Sequence, residues 1–271
     1  MKVGVLGCAG RMGRAVLGEV LASDGLRLVG GTESGGHPAL GTDLGVLAGG
    51  EPIGAPATDD HQAVIRDADV VIEFSTPEAT VAHARLAAAR RTGHVIGTTG
   101  LSPVQSASLR EAAKETAILW APNMSQGVNL LLGLAEQVAR ALDLDAFDVE
   151  IVEIHHRHKV DAPSGTALAL GEAVARGRGV PLAEAAVRGR NGLTGARKAG
   201  TIGFAALRGG DAVGDHTVIF AGAGERLELT HRASDRRIYA RGAVRAARWL
   251  HNRSPGFYGM AEVLGLEPLS G

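Results

Sequence analysis

Lys2–Gly13 reads Lys-Val-Gly-Val-Leu-Gly-Cys-Ala-Gly-Arg-Met-Gly, an apolar run followed by three glycines at a spacing of three. The run Lys2–Leu6 predicts a short buried strand, and the apolar spacing of Arg11–Leu21 predicts a helix. A glycine-rich turn between a strand and a helix is typical of the first unit of a dinucleotide-binding α/β fold. We therefore expect the following segments to alternate in the same way.

Strand and helix patterns do alternate as far as Asn123. The predicted strands are 26–31, 69–74, 94–97 and 117–120, and the predicted helices are one that begins at Pro77 and one over 102–114. The strand at 69–74 is rich in β-branched residues and reads as buried on both faces, as strands of parallel sheets are. Repeated units of this kind predict an α/β fold with a doubly wound Rossmann-type parallel sheet.

The pattern changes after Asn123, where the chain reads as an inserted α+β domain for substrate binding and oligomerisation. Its predicted helices are 125–142 and 164–176, and its predicted strands are 147–154, 213–220 and 226–231. Residues 177–210 are rich in Gly and Arg with weak periodicity, which predicts a mobile or oligomer-contacting loop. A closing helix after Ser234 is expected to return to the first domain. The expected domains are therefore 1–124 with 234–271, and 125–233.

The composition points to a small-molecule partner. The 28 basic and 29 acidic residues leave a net charge of −1, which offers no bulk attraction to nucleic acid or to an anionic membrane surface. No apolar run approaches the roughly 20 residues that span a bilayer. The single cysteine, Cys8, excludes an internal disulfide. We therefore expect a cytoplasmic protein with neither nucleic acid nor membrane as partner.

The three glycines of the first turn have separate uses in a dinucleotide site. Gly7 permits the tight turn, Gly10 lets a pyrophosphate approach the backbone, and Gly13 lets the helix pack against the sheet. Free N–H groups at this helix start are expected to hold the phosphates. The intervening residues predicted to contact the cofactor are Cys8, Ala9, Arg11 and Met12. Because G-x-x-G-x-x-G differs from the commoner G-x-G-x-x-G, a purely structural turn stays an alternative.

Glu33 supplies the acidic partner that such a turn needs. It lies 20 residues after Gly13 at the end of the second predicted strand, where a carboxylate binds the ribose hydroxyls. A solvated surface carboxylate is the alternative. The next residue, Ser34, offers no cation for the 2′-phosphate of NADPH, so NADH is expected to serve at least as well. For Cys8, packing is favoured over a reactive thiol, because nothing nearby in the sequence resembles a catalytic base.

A basic cluster follows the strand at 147–154 and leads into the next predicted helix. It runs from His155 to Lys159 and continues through Asp161-Ala162-Pro163 to Ser164. Ser164 is a credible N-cap, and the N–H groups of the helix start favour a carboxylate. The cluster therefore predicts a pocket for an anionic substrate with acid–base groups. A solvated charged loop and a zinc site at His155, His156 and His158 are alternatives, although neighbouring cations oppose a metal and no metal is expected.

These residues resemble the active-site signature of the 4-hydroxy-tetrahydrodipicolinate reductases, and Gly7–Gly13 resembles that family's nucleotide loop. Two further stretches resemble its other cofactor segments; they are Gly97-Thr98-Thr99-Gly100 and Ala121-Pro122-Asn123-Met124. The matches are spread over nearly the whole chain. The resemblance implies an NAD(P)H-dependent oxidoreductase of lysine and diaminopimelate synthesis that reduces a cyclic dicarboxylate, and it implies a homotetramer.

The resemblance also implies roles for single residues. His155 and Lys159 serve in proton transfer, without a decision between them, and the substrate is held by His156, Gly165 and Thr166. Where many members of the family carry a basic residue, this chain has Ser34, which puts strict use of NADPH in doubt. Another amino-acid-pathway dehydrogenase, acting on aspartate or homoserine, and a non-catalytic NAD-responsive regulator stay open as alternatives.

Overall fold

The protein is described here by a computed structural model that covers residues Met1–Leu266. The strands, in chain order, are β1 Lys2–Leu6, β2 Arg27–Thr32, β3 Val70–Glu73, β4 Gly93–Ile96, β5 Ala117–Trp120, β6 Asp148–His155, β7 Ala186–Val187, β8 Ile202–Arg208, β9 Gly214–Gly222, β10 Glu225–Ala233 and β11 Gly256–Tyr258. The helices are α1 Arg11–Leu21, α2 Leu44–Leu47, α3 His61–Asp67, α4 Pro77–Arg90, α5 Pro103–Ala112, α6 Gln126–Ala141, α7 Gly165–Arg178, α8 Leu182–Ala185, α9 Arg237–Leu250 and α10 Met260–Val263.

The contacts between these elements divide the chain into two compact units. Unit 1 comprises Met1–Gln126 and Arg237–Gly265, and unit 2 comprises Gly127–Arg236 with Leu266. The part of the expected first domain at 267–271 lies outside the described residues. No helix in the stretch from Met1 to Leu266 combines the length and apolar character that crossing a bilayer requires.

Unit 1 is built on a six-stranded sheet in the order β11-β5-β4-β3-β1-β2. Every neighbouring pair in it is parallel. The helices α1 and α9 pack against each other, and α9 also covers β3 and β4. Because parallel strands are covered on both faces, β3 is buried at all four positions. This sheet confirms the predicted doubly wound α/β fold, and it brings the carboxyl ends of β1, β3, β4 and β5 to one edge.

Unit 2 contains a mixed five-stranded sheet in the order β10-β9-β6-β8-β7. The strand β6 lies at its centre, antiparallel to β9 and parallel to β8. Burial alternates along β6, with Val149, Ile151, Glu153 and His155 on the buried face. The core on that face contains Leu170 and Val174 of α7 together with Phe220 of β9. The carboxyl end of β6 is therefore anchored in the middle of a packed sheet.

The prediction of a loop over 177–210 is wrong for part of that range. Residues Ile202–Arg208 form β8, which pairs with β6 from Val149 to His155. Only Ile202, Gly203 and Phe204 are buried in β8, while Ala205–Leu207 are exposed. A strand with so short a buried stretch has no clear alternating pattern, so its partner decides its structure. The sequence analysis also did not predict the short elements α2, α3, α8, α10, β7 and β11.

Candidate functional site

The first turn of unit 1 is shaped by backbone contacts that only glycine allows. Gly7 has a φ of +77°, and a Cβ there would lie 2.3 Å from the carbonyl oxygen of Phe74. A Cβ at Gly13 would lie 2.0 Å from the carbonyl oxygen of Gly7. The start of α1 therefore sits directly against the turn, the close packing that the glycine pattern predicts.

Glu33 follows β2 and is joined to this turn. Its Oε1 accepts a hydrogen bond from the Ala9 N–H at 2.7 Å, and the N–H groups of Gly7 and Cys8 donate to Thr32 O. Gly10 caps α1 without a side-chain hydrogen bond, so the N–H groups of Arg11 and Met12 are left for a ligand. One carboxylate oxygen of Glu33 thus accepts a hydrogen bond from the turn. The carboxylate therefore lies beside a helix start whose N–H groups are suited to phosphate.

Cys8 lies within the turn and is fully buried. Burial, with a further contribution from the charge of Glu33, raises the pKa of its thiol to about 12. A thiol with this pKa is protonated at neutral pH, and its side chain fills space against Gly31, where a Cβ would lie 3.0 Å from the Cys8 Cβ. The environment favours packing over reactivity.

A cavity of about 260 Å³ adjoins the turn, and its lining includes Gly7, Gly10, Glu33, Ser34, His37 and His61. The Nδ1 of His61 contacts Thr32 Oγ1 at 2.8 Å. Desolvation, followed by the neighbouring His83, lowers the pKa of His61. At neutral pH this histidine is therefore uncharged, and Ser34 adds only a hydroxyl. Within Met1–Leu266, the residues that line this cavity include neither Lys nor Arg.

A buried carboxylate, Glu73, lies at the end of β3 behind this cavity. Its two oxygens lie 2.7 Å from His83 Nδ1 and 2.7 Å from His94 Nε2, and Ser75 Oγ donates to it. Burial by itself raises the pKa of Glu73, but the hydrogen bonds from the two histidines outweigh it and lower the pKa to about 2. His83 and Ser75 also line the cavity. No role was predicted for this cluster from the sequence.

The segment Gly97-Thr98-Thr99 follows β4 at the same edge of the sheet. A Cβ at Gly97 would lie 2.1 Å from the ring of Phe74, so the two strand ends approach closely. Thr98 is buried, and its Oγ1 accepts hydrogen bonds from Ser75 N at 3.2 Å and Thr80 Oγ1 at 2.9 Å. Thr99 is exposed. The side chain of Thr98 is thus engaged in the fold, which leaves the backbone and Thr99 for a ligand.

The segment 121–124 follows β5, next to β4 in the sheet. Ala121 and Met124 are buried, Pro122 is exposed, and Asn123 Oδ1 accepts a hydrogen bond from Ser125 N at 2.8 Å. These residues therefore also lie after a strand at the carboxyl edge of the sheet, where α/β proteins bind ligands. Unit 1 brings together all the residues predicted for the cofactor at this edge.

A larger cavity of about 640 Å³ lies at the opposite edge of the same sheet. Several cations line it, among them Arg66 and Arg90, which occupy the last turns of α3 and α4. Basic side chains at such positions compensate the partial negative charge of helix carboxyl ends. Their place is explained by the helices, so size alone does not make this cavity the functional one.

In unit 2, His155 is the last residue of β6 and is only 8% exposed. Its Nδ1 lies 2.5 Å from Oε2 of Glu153, on the same face of the strand. Burial alone raises the pKa of Glu153, but hydrogen bonds, chiefly from Arg208 and then His155, lower it. An ionised carboxylate only accepts, so the Nδ1 of His155 carries a proton and its Nε2 is the nitrogen left for chemistry.

Lys159 lies four residues further along, in the loop after β6. Its Nζ donates to Asp161 Oδ1 at 2.8 Å, and its side chain is 21% exposed. This hydrogen bond lowers the pKa of Asp161. His156 is half-buried, and its Nε2 lies 3.3 Å from an Arg236 nitrogen. The end of β6 is thus surrounded by the ammonium of Lys159, the guanidinium of Arg236 and the imidazoles of His155 and His156.

The helix α7 begins at this loop with Ser164 as its N-cap, as predicted. Ser164 Oγ accepts a hydrogen bond from Ala167 N at 3.1 Å. Gly165 is exposed, and a Cβ there would meet nothing within 4 Å, so the start of the helix is open. Thr166 occupies the next position of the first turn. A helix start next to cations is suited to bind a carboxylate.

The structure does not favour the alternative of a zinc site. Among residues 1–266, no group of three or more His, Cys, Asp and Glu side chains has the arrangement that holds a metal ion. The Nδ1 of His155 is hydrogen-bonded to Glu153, and the ring centroids of His156 and His158 are 6.2 Å apart.

His216 and Arg208 are residues of this site that the sequence analysis missed. His216 is buried on β9, with its Nε2 3.0 Å from Ser164 Oγ and its ring centroid 5.0 Å from that of His155. Desolvation, followed by the charge of His155, lowers the pKa of His216 to about 4. The only sequence signal was a histidine at an inward position of an alternating strand, which is common in ordinary cores.

Comparisons with known proteins agree with this arrangement. Profiles described as "Dihydrodipicolinate reductase, N-terminus" and "Dihydrodipicolinate reductase, C-terminus" match residues 1–124 and 127–264. The chain is 57% identical over 268 residues to a 4-hydroxy-tetrahydrodipicolinate reductase of Parvibaculum lavamentivorans, covering 98% of both chains. It is also 57% identical to the enzyme of that name from Dinoroseobacter shibae, covering 97% of both.

Solved structures show the same fold at lower identity. Dipicolinate-bound dihydrodipicolinate reductase from Paenisporosarcina sp. TG-14 superposes with a TM-score of 0.78 at 24% identity, covering 97% of this chain and 98% of that one. An amine dehydrogenase from Mycobacterium smegmatis reaches a TM-score of 0.61 at 16% identity, covering 100% and 97%. With both of its halves matched by the family profiles and relatives of 57% identity along its length, the chain belongs to the dihydrodipicolinate reductase family.

Proposed function

We propose that this chain catalyses the NAD(P)H-dependent reduction of 4-hydroxy-tetrahydrodipicolinate to tetrahydrodipicolinate, a step of lysine and diaminopimelate synthesis. The observation that carries the proposal is 57% identity, over 98% of both chains, to a relative that bears this enzyme's name. In the balanced reaction, one hydride and one proton enter the substrate, and water leaves it.

The residues present fit a dinucleotide. The backbone approach at Gly7 and Gly13 leaves no room for a Cβ, and the α1 start has N–H groups for a pyrophosphate. We assign the ribose to Glu33, with the backbone after β4 and β5 as further binding segments. When bound, the reduced nicotinamide supplies the hydride.

The substrate is assigned to the open start of α7. A dianion requires cations and N–H donors, and we assign Gly165, Thr166 and His156 to one of its carboxylates. Hydride addition to a ring conjugated with an imine increases the electron density on nitrogen and the adjacent carbon. Lys159 and His155 hold the protons that neutralise this density, and the ammonium also stabilises it electrostatically. The two groups are both retained as proton donors.

NADH is proposed to be used at least as well as NADPH. Ser34 and an uncharged His61 offer no fixed cation to a 2′-phosphate in the cavity beside Glu33. Steady-state kinetics with both coenzymes tests this directly. A kcat/KM more than about tenfold higher with NADPH would contradict the proposal, because tenfold corresponds to about 1.4 kcal/mol of transition-state binding.

We also propose that the protein is a cytoplasmic homotetramer. The face of the unit 2 sheet opposite its helices carries apolar side chains such as Val152, Ile154 and Ile219, all half-buried, and Leu207, which is 51% exposed. An exposed apolar sheet face is suited to meet another copy. Size-exclusion chromatography with light scattering is expected to give four chains per particle, and a monomer at micromolar concentration would contradict this.

One assay separates the proposal from its rivals. NADH oxidation is followed with the freshly made condensation product of aspartate semialdehyde and pyruvate, and separately with aspartate or homoserine. We expect turnover with the condensation product alone. Oxidation with homoserine or aspartate would identify a different dehydrogenase, whereas tight NADH binding without turnover would identify a regulator.

A further inference from the structure

Glu153 is the centre of a hydrogen-bond network in unit 2. Its side chain is 1% exposed, and its oxygens accept from His155 Nδ1 at 2.5 Å and from Ser164 N–H at 3.1 Å. Both terminal nitrogens of Arg208 donate to it at 2.8 Å. One carboxylate therefore contacts the imidazole at the strand end, the cap of α7 and a two-pronged guanidinium.

Arg208 extends this network to the loop that holds Lys159. It lies opposite His155 in the register of β6 and β8. Its NH2 also donates to the carbonyl oxygen of Asp161 at 2.6 Å, and the Asp161 carboxylate in turn accepts from Lys159. The side chains to which we assign proton transfer are thus joined through one carboxylate–guanidinium pair.

We propose that Glu153 and Arg208 are positioning residues for the acid–base groups of this site. Glu153 sets the tautomer and the plane of the His155 ring, and Arg208 holds both that carboxylate and the Asp161 backbone beside Lys159. The inference rests on the proposed roles of His155 and Lys159. It predicts that loss of Glu153 acts on turnover through His155 and leaves coenzyme binding unchanged.

The surroundings of His155 agree with a role of Glu153 in orienting the ring and of Nε2 in proton transfer. With Nδ1 bound to Glu153, Nε2 lies beside Gly214, where a Cβ would be 2.8 Å away. The absence of a side chain there keeps that nitrogen accessible. The neighbouring His216 is held by Ser164 Oγ, and its lowered pKa keeps it uncharged, so it does not compete for the proton.

A purely structural ion pair is the competing explanation, and the chain offers a matched control for it. Glu150 lies on the same strand but on the opposite face, and its carboxylate also accepts from arginines, namely Arg190 and Arg197. Glu150→Gln and Glu153→Gln remove the same charge from β6. Only the second removes a contact with His155.

The test compares kcat and the KM for NADH in the protein carrying Glu153→Gln, Glu150→Gln, His155→Gln or both changes at 153 and 155. We expect Glu153→Gln to lower kcat at least about tenfold with an unchanged KM for NADH, as loss of a group that orients a reacting side chain does. We expect Glu150→Gln to keep the oligomeric state of the unaltered protein, measured by light scattering, and to retain its kcat. The double variant is expected to lose less than the product of the two single losses, because part of the effect of Glu153 is exerted through that ring.

Several outcomes would overturn the inference. A kcat reduced in His155→Gln but normal in Glu153→Gln would reject it and leave the proposed function standing. Equal losses in Glu150→Gln and Glu153→Gln, or fully multiplicative losses in the double variant, would reduce the pair to a structural role. Normal turnover in His155→Gln would reject the role of His155 itself, and the inference with it. If Glu153→Gln does not fold, Arg208→Lys keeps the charge but not the two-pronged contact, and a normal kcat in that variant would equally reject the inference.

Discussion

Replacement of Gly13 by alanine tests whether the turn before α1 holds the coenzyme. The added Cβ would lie 2.0 Å from Gly7 O, 2.7 Å from the Cys8 Cα and 2.8 Å from the Cys8 carbonyl carbon. All three are backbone atoms, so no side chain can rotate away. Since real Cβ contacts do not fall below 3.0 Å, the start of α1 must move by about 1 Å. Its phosphate-binding N–H groups move with it.

The expected result is NADH binding weakened by at least tenfold, about 1.4 kcal/mol, because a displacement of about 1 Å disrupts oriented contacts. Fluorescence titration of NADH measures this. Gly18→Ala is the matched control on the same helix, where the nearest atom to the new Cβ is 3.9 Å away. That variant should bind NADH normally and gain about 0.5–1 kcal/mol of stability from helix propensity. Wild-type NADH affinity in Gly13→Ala would refute the assignment of the turn.

Three further predictions follow from single side chains. Lys159→Ala should lower kcat by about 10²–10⁴-fold, the usual range for loss of a general acid, while NADH affinity stays unchanged. The control is Lys114→Ala, because Lys114 is exposed and lies in unit 1. Normal turnover in Lys159→Ala would remove Lys159 from the mechanism. Ser34→Arg should raise kcat/KM for NADPH relative to NADH, since it adds a cation next to Glu33; an unchanged ratio in steady-state assays would place the 2′-phosphate elsewhere. The histidine partners of Glu73 lower its pKa from 4.5 to about 2. The ionised carboxylate therefore stabilises the folded protein by about 3 kcal/mol above pH 4.5. This contribution is lost as the pH falls towards 2. In urea unfolding, the stability difference between wild type and Glu73→Gln should therefore shrink over that pH range, and a difference independent of pH would contradict the assigned charge.

Features that depend on neighbours in sequence could be predicted from the sequence. The helix Arg11–Leu21 has the predicted bounds, because its glycine-rich start and its apolar spacing are local signals. The Ser164 cap is likewise local, since a serine before a helix binds the N–H three residues on. The position of Glu33 beside the glycine-rich turn could be predicted because its distance from the glycines is set by the length of one helix and one strand.

The features that were missed depend on contacts between distant parts of the chain. Arg208 meets Glu153 across 55 residues, and it does so only because β8 pairs with β6. Glu73 joins two histidines 10 and 21 residues away on different elements. Neither set forms a spacing pattern. Local signals therefore led to the predicted site residues, while the carboxylates that hydrogen-bond to histidines across the fold could be identified only from the structure.

We propose that this protein transfers a hydride from a reduced nicotinamide to a cyclic dicarboxylate. Mass spectrometry of the product formed with NADH deuterated at both C4 positions tests it most directly. We predict one deuterium in each tetrahydrodipicolinate molecule and an equal amount of NAD⁺. Oxidation of the coenzyme without deuterium in that product would show that the hydride does not reach the substrate.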